Sequence, residues 1–373
     1  MNELRVIISG GGTGGHIFPA VSIAGALREL NPETKILFVG AEGRMEMQRV
    51  PAAGYEIIGL PVRGLLRPLW RLGNISILKD FLKSKRMVKQ TLRDFQPHVA
   101  VGVGGYASSA TLNAAYELGI PCLIQEQNSY AGLTNKTLAK KASKICVAYE
   151  GMERFFPKDR ILLTGNPVRQ NLLNDKLTRQ ECAAAFGLNP AKPTILLMGG
   201  SLGARTLNES VIRNLSRIAA SSVQFIWQTG SYYKREIDQT IDVKGKPANI
   251  VVTDFISRMD QAYFLADLVI SRAGAGSISE LCLLGKPSIL VPSPNVAEDH
   301  QTHNAMALVN KKAALLVRDA DAREQLIPLA LETVADTEKL QQLSANASAM
   351  ALPDSARIIA EEVIKLAGQA LKD

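Results

Sequence analysis

Residues 5–30 read RVIISGGGTGGHIFPAVSIAGALREL: a short apolar run, a glycine turn, then a long apolar helical pattern. Short β-branched runs that end at Gly-rich turns and feed helices are the unit of a parallel sheet covered on both faces. The unit recurs along the chain. KILFVG, HVAVGVG, PCLIQE, KICVA and RILLTG follow before about residue 165, and TILLMGG, VQFIWQTG, NIVVTDF, LVIS and PSILVP form a second series. That series opens as the first does, with ILLMGGSLGARTLNESVI at residues 195–212. The pattern predicts an α/β chain of two doubly wound, Rossmann-like halves whose C-terminal strand edges face a common central cleft. TGNPVRQNLL, residues 164–173, is the seam, because Gly165, Asn166 and Pro167 interrupt the alternation. The final segment, SARIIAEEVIKLAGQALKD, is an amphipathic helix that could pack on either half.

The chain of 373 residues is long enough for two domains with sizeable cores. It carries 43 Lys and Arg against 35 Asp and Glu, a net charge of +8. Residues 61–93 hold nine of those bases and the single acid Asp80, so this one segment accounts for the whole excess. A nucleic-acid partner would call for basic residues spread along a face or channel, so no nucleic acid is expected and a local anionic partner is. No run reaches the ~18 apolar residues of a spanning helix. MNELRVIISGGG enters a strand directly, without the features of a signal peptide, so a cytoplasmic address is expected. Cys122, Cys146, Cys182 and Cys282 are scattered and read as reduced core residues.

Gly10, Gly12 and Gly15 form a G-x-G-x-x-G between strand and helix, where backbone N–H groups and the helix dipole suit a phosphate. By itself the motif admits a nicotinamide-dependent oxidoreductase. Against that reading, KILFVG ends in glycine, and the nearest carboxylate, Glu42, lies 27 residues past Gly15 where about 20 is usual. His16 stands at the mouth of the turn, placed to accept a proton or to meet an anion. Three more glycine turns follow apolar runs: GVGGYASSA at 102–110, GGSLGA at 199–204 and RAGAGSISEL at 272–281. Four such turns exceed the needs of one dinucleotide. Glu280 is expected in the first turn of the helix that RAGAGSISEL starts, where it could hold ribose hydroxyls. EDHQTHNA at 298–305 pairs His300 and His303 with Asp299, but no third metal ligand stands out, and a sugar-binding polar cluster is preferred. IQEQNSYAGLTNK at 124–136 gathers Gln125, Glu126, Gln127 and Asn128 at a strand end, where open α/β sheets bind ligands.

GGGTGGHIFPA, GGYASSA, QEQNSYAGLTNK, GNPVR, GGSLGA, SRAGAGSISEL and EDHQTHNA, taken in this order over nearly the whole chain, resemble the MurG-type transferases. Those enzymes move N-acetylglucosamine (GlcNAc) from UDP-GlcNAc onto undecaprenyl-pyrophosphoryl-N-acetylmuramoyl-pentapeptide in peptidoglycan synthesis. The resemblance implies a GT-B fold. Residues 1–165 with the helix at 354–373 would form the acceptor and membrane-associating domain, and residues 166–353 the UDP-GlcNAc-binding domain. It also implies roles for individual positions. Thr13, Gly14 and Gly15 would lie near the donor sugar and the acceptor pyrophosphate, Asn128 would touch sugar, Arg169 would be the linker arginine, and Ser201 would meet the donor phosphate. Ile256 would offer backbone to uracil. Ala275, Gly276, Ser277, Ile278, Ser279 and Glu280 would cover pyrophosphate and ribose, and Gln301 would read sugar hydroxyls, although His300 here stands where some members carry a second glutamine.

The family inverts at the anomeric carbon by direct displacement, and His16 is the candidate base for the acceptor 4-hydroxyl. The resemblance implies no cofactor and no metal. In residues 61–93, Ile77, Leu78, Phe81, Leu82, Val88 and Leu92 are expected on one side of a helix and Lys79, Lys83, Arg86 and Arg93 on another. Leu65, Leu66, Leu69 and Trp70 alternate with Arg63, Arg67 and Arg71 ahead of it. Such a segment suits anionic inner-leaflet lipids and a peripheral place on the cytoplasmic face of the inner membrane. A UDP-GlcNAc 2-epimerase-like enzyme is the alternative with a similar fold.

Overall fold

The computed structural model describes residues 3–64, 73–168, 172–173 and 176–370. The chain divides into two compact units, Met1–Val168 with Leu352–Asp373, and Arg169–Ala351.

The first unit runs β1 Arg5–Ser9, α1 Gly14–Leu30, β2 Lys35–Ala41, α2 Glu46–Ala52, β3 Glu56–Leu60, α3 Gly73–Phe95, β4 Val99–Gly102, α4 Tyr106–Glu117, β5 Cys122–Glu126, α5 Leu133–Leu138, β6 Lys144–Val147 and β7 Ile161–Leu163. Its seven-stranded sheet has the order β3-β2-β1-β4-β5-β6-β7, every pair parallel. Strands buried on both faces explain the unbroken apolar runs. Odd and even residues feed different cores. Val6 and Ile8 pack with Ile23 and Leu27 of α1. Ile7 packs on the other face with Val88 and Leu92 of α3 and Leu112 of α4. The last helix, called α15 below (Ser355–Ala370), places Ile359, Val363 and Leu366 in the α1 core of this unit.

The second unit runs α6 Arg179–Phe186, β8 Thr194–Met198, α7 Arg205–Arg213, α8 Leu215–Ala219, β9 Gln224–Gln228, α9 Lys234–Lys244, β10 Ile250–Thr253, α10 Met259–Leu265, β11 Leu268–Ser271, α11 Ala275–Leu283, β12 Ser288–Leu290, α12 His300–Val309, β13 Leu315–Leu316, α13 Ala322–Ala335 and α14 Thr337–Ala349. Its parallel sheet has the order β10-β9-β8-β11-β12-β13. In each sheet the chain reverses direction once, between β1 and β4 and between β8 and β11. Those two switch points are where an open α/β sheet leaves a crevice, and each is flanked by two of the four glycine turns.

All four cysteines are buried, and burial pushes the thiols of Cys122, Cys146 and Cys282 up to about 12. They are inert packing atoms. No described helix is long and apolar enough to cross a membrane.

The basic helix α3 divides differently from the expectation. Ile77, Val88 and Leu92 are buried and Phe81 packs against the same core, but Leu78 and Leu82 are 58 % and 50 % exposed. The spacing 77, 81, 84, 88, 92 is one stripe, and Leu78 and Leu82 fall a full 100° round from it, beside Lys79 and Lys83. Pairing removes part of the charge. Arg63 binds Asp80, while Lys85 and Lys89 both reach Glu117 on α4. Among the described residues, Lys79, Lys83, Arg86 and Arg93 make no ion pair. Leu65, Leu66, Arg67, Leu69, Trp70 and Arg71 lie outside the described residues.

Hydrogen bonds from Lys85 and Lys89 hold the Glu117 carboxyl down at about 2, from an ordinary 4.5. A depressed carboxylate contributes stability that is present above its unfolded value and is lost as pH falls towards the folded one. Exposed pairs contribute roughly 0.5 kcal/mol each. Glu117→Gln should therefore melt a few degrees lower than wild type at pH 7, and the gap should close between pH 4.5 and about 2. Calorimetry of the two chains across that range checks it.

Candidate functional site

Each glycine turn starts a helix, and none of the four has a side-chain cap or a first-turn acid. The same is true of α5, α8 and α12, but it is joined here to a glycine turn at a switch point. α1, α4, α7 and α11 begin at Thr13, Gly105, Ala204 and Gly274 with no side-chain cap and no acid in the first turn. α6, by contrast, carries a full capping box from Thr178 and Glu181, and α14 is capped by Asp336. First-turn N–H groups left without side-chain acceptors at a positive dipole end are suited to a phosphate.

In the first unit the turns after β1 and β4 press together. A Cβ on Gly10 would fall 2.1 Å from Val103 Cγ2, and one on Gly105 would fall 2.8 Å from the Gly11 carbonyl oxygen. His16, half-buried in the first turn of α1, sits in this contact. Its Nδ1 lies 2.9 Å from the Gly11 carbonyl oxygen and 3.5 Å from Thr13 Oγ1. A carbonyl only accepts, so Nδ1 carries the proton and Nε2 the lone pair. The other side of the ring faces Gly104, whose φ is +104° and whose Cβ would come within 2.9 Å of Nε2. Thr13 receives the N–H groups of His16 and Ile17 on its carbonyl, and Gly14 and Gly15 complete the turn.

A residue that sequence reasoning missed lies beneath this loop. Glu46, at the start of α2, is completely buried, and its carboxylate accepts the Gly12 N–H at 2.9 Å and the Ala41 N–H at 3.0 Å. Glu42, the acid considered from sequence, is exposed. The only signal for Glu46 was indirect, in glycines at 11 and 40 that leave it room.

At the end of β5, Glu126 is buried and accepts from the Asn128 N–H at 3.0 Å, from Asn128 Nδ2, from the Gly132 N–H and from Asn135 Nδ2. Asn128 is thus fixed by its neighbour. Gln125 and Gln127 do not face a ligand: Gln125 donates to Asn166 Oδ1 and Gln127 to the Val103 carbonyl, and Asn166 returns a bond to Gln127. They tie the strand end to the β4 turn and to GNP. Arg169 lies outside the described residues.

The second unit repeats the close approach with other partners. A Cβ on Gly203 would fall 2.1 Å from the Thr229 carbonyl oxygen, and one on Gly230 would fall 2.0 Å from Gly203 N. This seats the β8 turn on the β9 turn, with exposed Ser201 taking the Ser231 N–H on its carbonyl at 3.2 Å. Arg272 binds Asp319 and the carbonyls of Val291 and Pro292, and Asp319 accepts from Thr206 on α7. The β8 and β11 turns are thereby locked to one another. Ile256 is buried in the turn after β10, so backbone is what it can offer a ligand. In α11, Gly276 is exposed, Ser277 and Ser279 are half-buried, and Ala275 and Ile278 pack inward.

Glu280 corrects the expectation. Gly274 is extended and the helix begins at Ala275, which puts Glu280 in the second turn, not the first. It is 6 % exposed and accepts the Tyr263 hydroxyl at 2.9 Å. Tyr263 orients this acid, and no sequence signal pointed to it. Gln301, in α12, spends its Oε1 on the Ser293 N–H at 2.9 Å, which leaves its amide NH2 as the donor end. Among the described residues no group of three or more His, Cys, Asp or Glu gathers where a metal could bind.

Comparison with known proteins adds to this geometry. Residues 6–147 match the glycosyltransferase family 28 N-terminal domain and residues 194–359 its C-terminal domain. A Bacteroides fragilis protein named UDP-N-acetylglucosamine–N-acetylmuramyl-(pentapeptide) pyrophosphoryl-undecaprenol N-acetylglucosamine transferase is 63 % identical, covering 99 % of this chain and 97 % of its own. The crystal structure of Acinetobacter baumannii MurG superposes with a TM-score of 0.76 at 27 % identity over 97 % of this chain and 99 % of that one. A Neisseria meningitidis UDP-GlcNAc 2-epimerase matches with a TM-score of 0.64 at 16 % identity, over 97 % of this chain and 100 % of that one, which shows a shared fold alone.

Removing the hydroxyl that meets a buried carboxylate removes a charge-assisted hydrogen bond, worth about 1.5–3 kcal/mol. Tyr263→Phe should lower the unfolding free energy by that amount in urea titrations, with the loss absent in a Glu280→Ala background, which removes the acceptor. An equal loss in both backgrounds would mean that the hydroxyl does not act on Glu280.

Proposed function

The chain belongs to the GT-B transferases of glycosyltransferase family 28 that transfer GlcNAc to lipid-linked muramyl-pentapeptide, and on that premise we propose how its residues divide the reaction. The observation that carries the reading is full-length identity of 63 % to a relative so named, joined to four uncapped helix starts at the two switch points. The substrates are UDP-GlcNAc and the undecaprenyl-pyrophosphoryl muramoyl-pentapeptide, and the product is the β-1,4-linked disaccharide lipid. An epimerase shares only the fold, and a nicotinamide enzyme leaves the second unit's turns without a role.

The second unit holds the donor. The N-termini of α7 and α11 receive the pyrophosphate, with Ser201 and Ser277 as hydroxyl donors near it and Ser279, whose hydroxyl donates to the Ala275 carbonyl, covering it one turn on. Glu280, aimed by Tyr263, accepts from ribose hydroxyls; the Ile256 backbone meets uracil; and the Gln301 amide donates to a sugar hydroxyl. Arg169 assists the leaving UDP. The first unit supplies the base. The acceptor 4-hydroxyl gives its proton to His16 Nε2 as its oxygen bonds the anomeric carbon, and UDP leaves with the bond's electron pair, inverting the centre. Thr13, Gly14 and Gly15 bind the acceptor pyrophosphate beside it, and Asn128, fixed by Glu126, touches sugar. The residues present need no metal or cofactor for this displacement, since helix termini and donors stabilise the departing phosphate.

The exposed face of α3 gives the protein its place. Leu78 and Leu82 beside Lys79, Lys83 and Arg86 suit the anionic headgroup layer of the inner leaflet, on the cytoplasmic side where a nucleotide sugar is available.

Transfer of labelled GlcNAc from UDP-GlcNAc to a lipid-linked muramoyl-pentapeptide should proceed only with the acceptor present; release of an epimerised sugar without it would favour the other reading. His16→Ala should lower kcat by about 10²–10⁴-fold with donor affinity unchanged. Lys79→Glu with Lys83→Glu should abolish flotation with anionic vesicles while leaving transfer to a soluble acceptor analogue intact, and undiminished flotation would remove α3 from the membrane contact.

A further inference from the structure

We infer that Glu46 is a positioning residue for His16, acting through the single peptide group that joins Gly11 to Gly12. That peptide is held at both ends. Its N–H, on Gly12, donates to Glu46 Oε2 at 2.9 Å, and its carbonyl, on Gly11, accepts from His16 Nδ1 at 2.9 Å. The other carboxylate oxygen is fixed by the Ala41 N–H at the end of β2. N–H and C=O of one peptide share a π system, so a full negative charge at the N–H end moves electron density onto the oxygen. The stronger acceptor then holds Nδ1–H and keeps the lone pair on Nε2. A carboxylate does the same to the histidine of a Ser-His-Asp triad by direct contact. Here one peptide stands between the two groups, and Glu46 takes no proton at any step.

The surroundings are shaped to this arrangement. A Cβ at Gly11 would fall 2.0 Å from Glu46 Oε1, and one at Gly40 would fall 2.6 Å from Glu46 Cγ. Gly104 clears the far side of the imidazole. An acid that only stiffened the loop could sit at any N–H of the turn. This one takes the N–H whose own carbonyl meets the histidine. Its burial also keeps water from screening the charge.

The inference rests on His16 being the proton acceptor, and the test separates the two. The chain has four histidines, so their ring nitrogens are assignable by ¹⁵N NMR in the full-length protein. Wild-type His16 should show the Nδ1–H tautomer, and the Gly12 amide should exchange slowly with solvent. Glu46→Gln offers one acceptor oxygen to two N–H groups. With cooperative melting retained, it should shift His16 towards Nε2–H and lower kcat by about ten- to a hundredfold, with the KM for UDP-GlcNAc little changed. An unchanged tautomer in the folded variant overturns the coupling. A shifted tautomer with undiminished kcat overturns the base assignment instead. Should the variant fail to fold, a fast-exchanging Gly12 amide or an Nε2–H tautomer in wild type overturns the proposal on its own.

Discussion

The absence of side chains where loops cross is the constraint on which the rest depends. A parallel sheet delivers every strand to the same edge, and a switch in strand order brings two adjacent strand ends there with helices leaving on opposite faces. For those ends to present backbone to a ligand, the turns must pack against each other without intervening Cβ atoms. Gly105 on Gly11 is that contact at the β1/β4 switch, and in the second unit Gly230 on Gly203 makes a similar approach between the β8 turn and the β9 turn beside it; in each a methyl group would overlap backbone atoms. The seating of the helix starts and of His16 depends on keeping these contacts open.

The polar groups that fix the turns work from beneath, and their arrangement differs between the units. In the second unit Arg272 and Asp319 neutralise one another and tie the β8 and β11 turns together. In the first unit the fixing group is Glu46, an acid that no base accompanies in its hydrogen bonds. Two backbone N–H groups satisfy it. Buried carboxylates are sustained by such N–H partners as well as by cations.

Much of this was legible in the sequence, and the rest was hidden for identifiable reasons. The strands announced themselves because a doubly covered parallel strand is apolar at every position. β3 and β13 escaped notice: EIIGL is half-exposed at the sheet edge, and Leu315–Leu316 is too short to stand out from its surroundings. The glycine turns were found as motifs, but which helix turn holds Glu280 depended on where α11 begins, and an extended Gly274 moved that start beyond Arg272 and Ala273. Leu78 and Leu82 group with Ile77 and Phe81 on one side of the helix in the sequence, and which of that group is core and which faces outwards depends on the phase of the helix on the sheet. Glu46 was invisible because nothing local marks it. Its partners lie 34 and 5 residues away, joined to it only by the sheet.

The same asymmetry bears on how the two units share the chemistry. A loop that gives one of its N–H groups to a buried carboxylate has fewer to offer a phosphate, and the negative charge beneath it opposes a second anion above. The Gly12 end of the β1 turn is therefore closed to an anion, and the acceptor pyrophosphate proposed beside Thr13, Gly14 and Gly15 has only the α1 helix start to rest on, although the glycines resemble a nucleotide motif more closely than those of the β8 and β11 turns. What the turn gains is a histidine with a fixed tautomer. A proton acceptor needs a defined lone pair, and on the proposed reading the turn underlain by Glu46 supplies it, whereas the turns tied by Arg272 and Asp319 hold the diphosphate. On the proposed division of the reaction, the conspicuous glycine motif near the N-terminus serves to move a proton, and the less conspicuous pair in the second unit to hold the nucleotide.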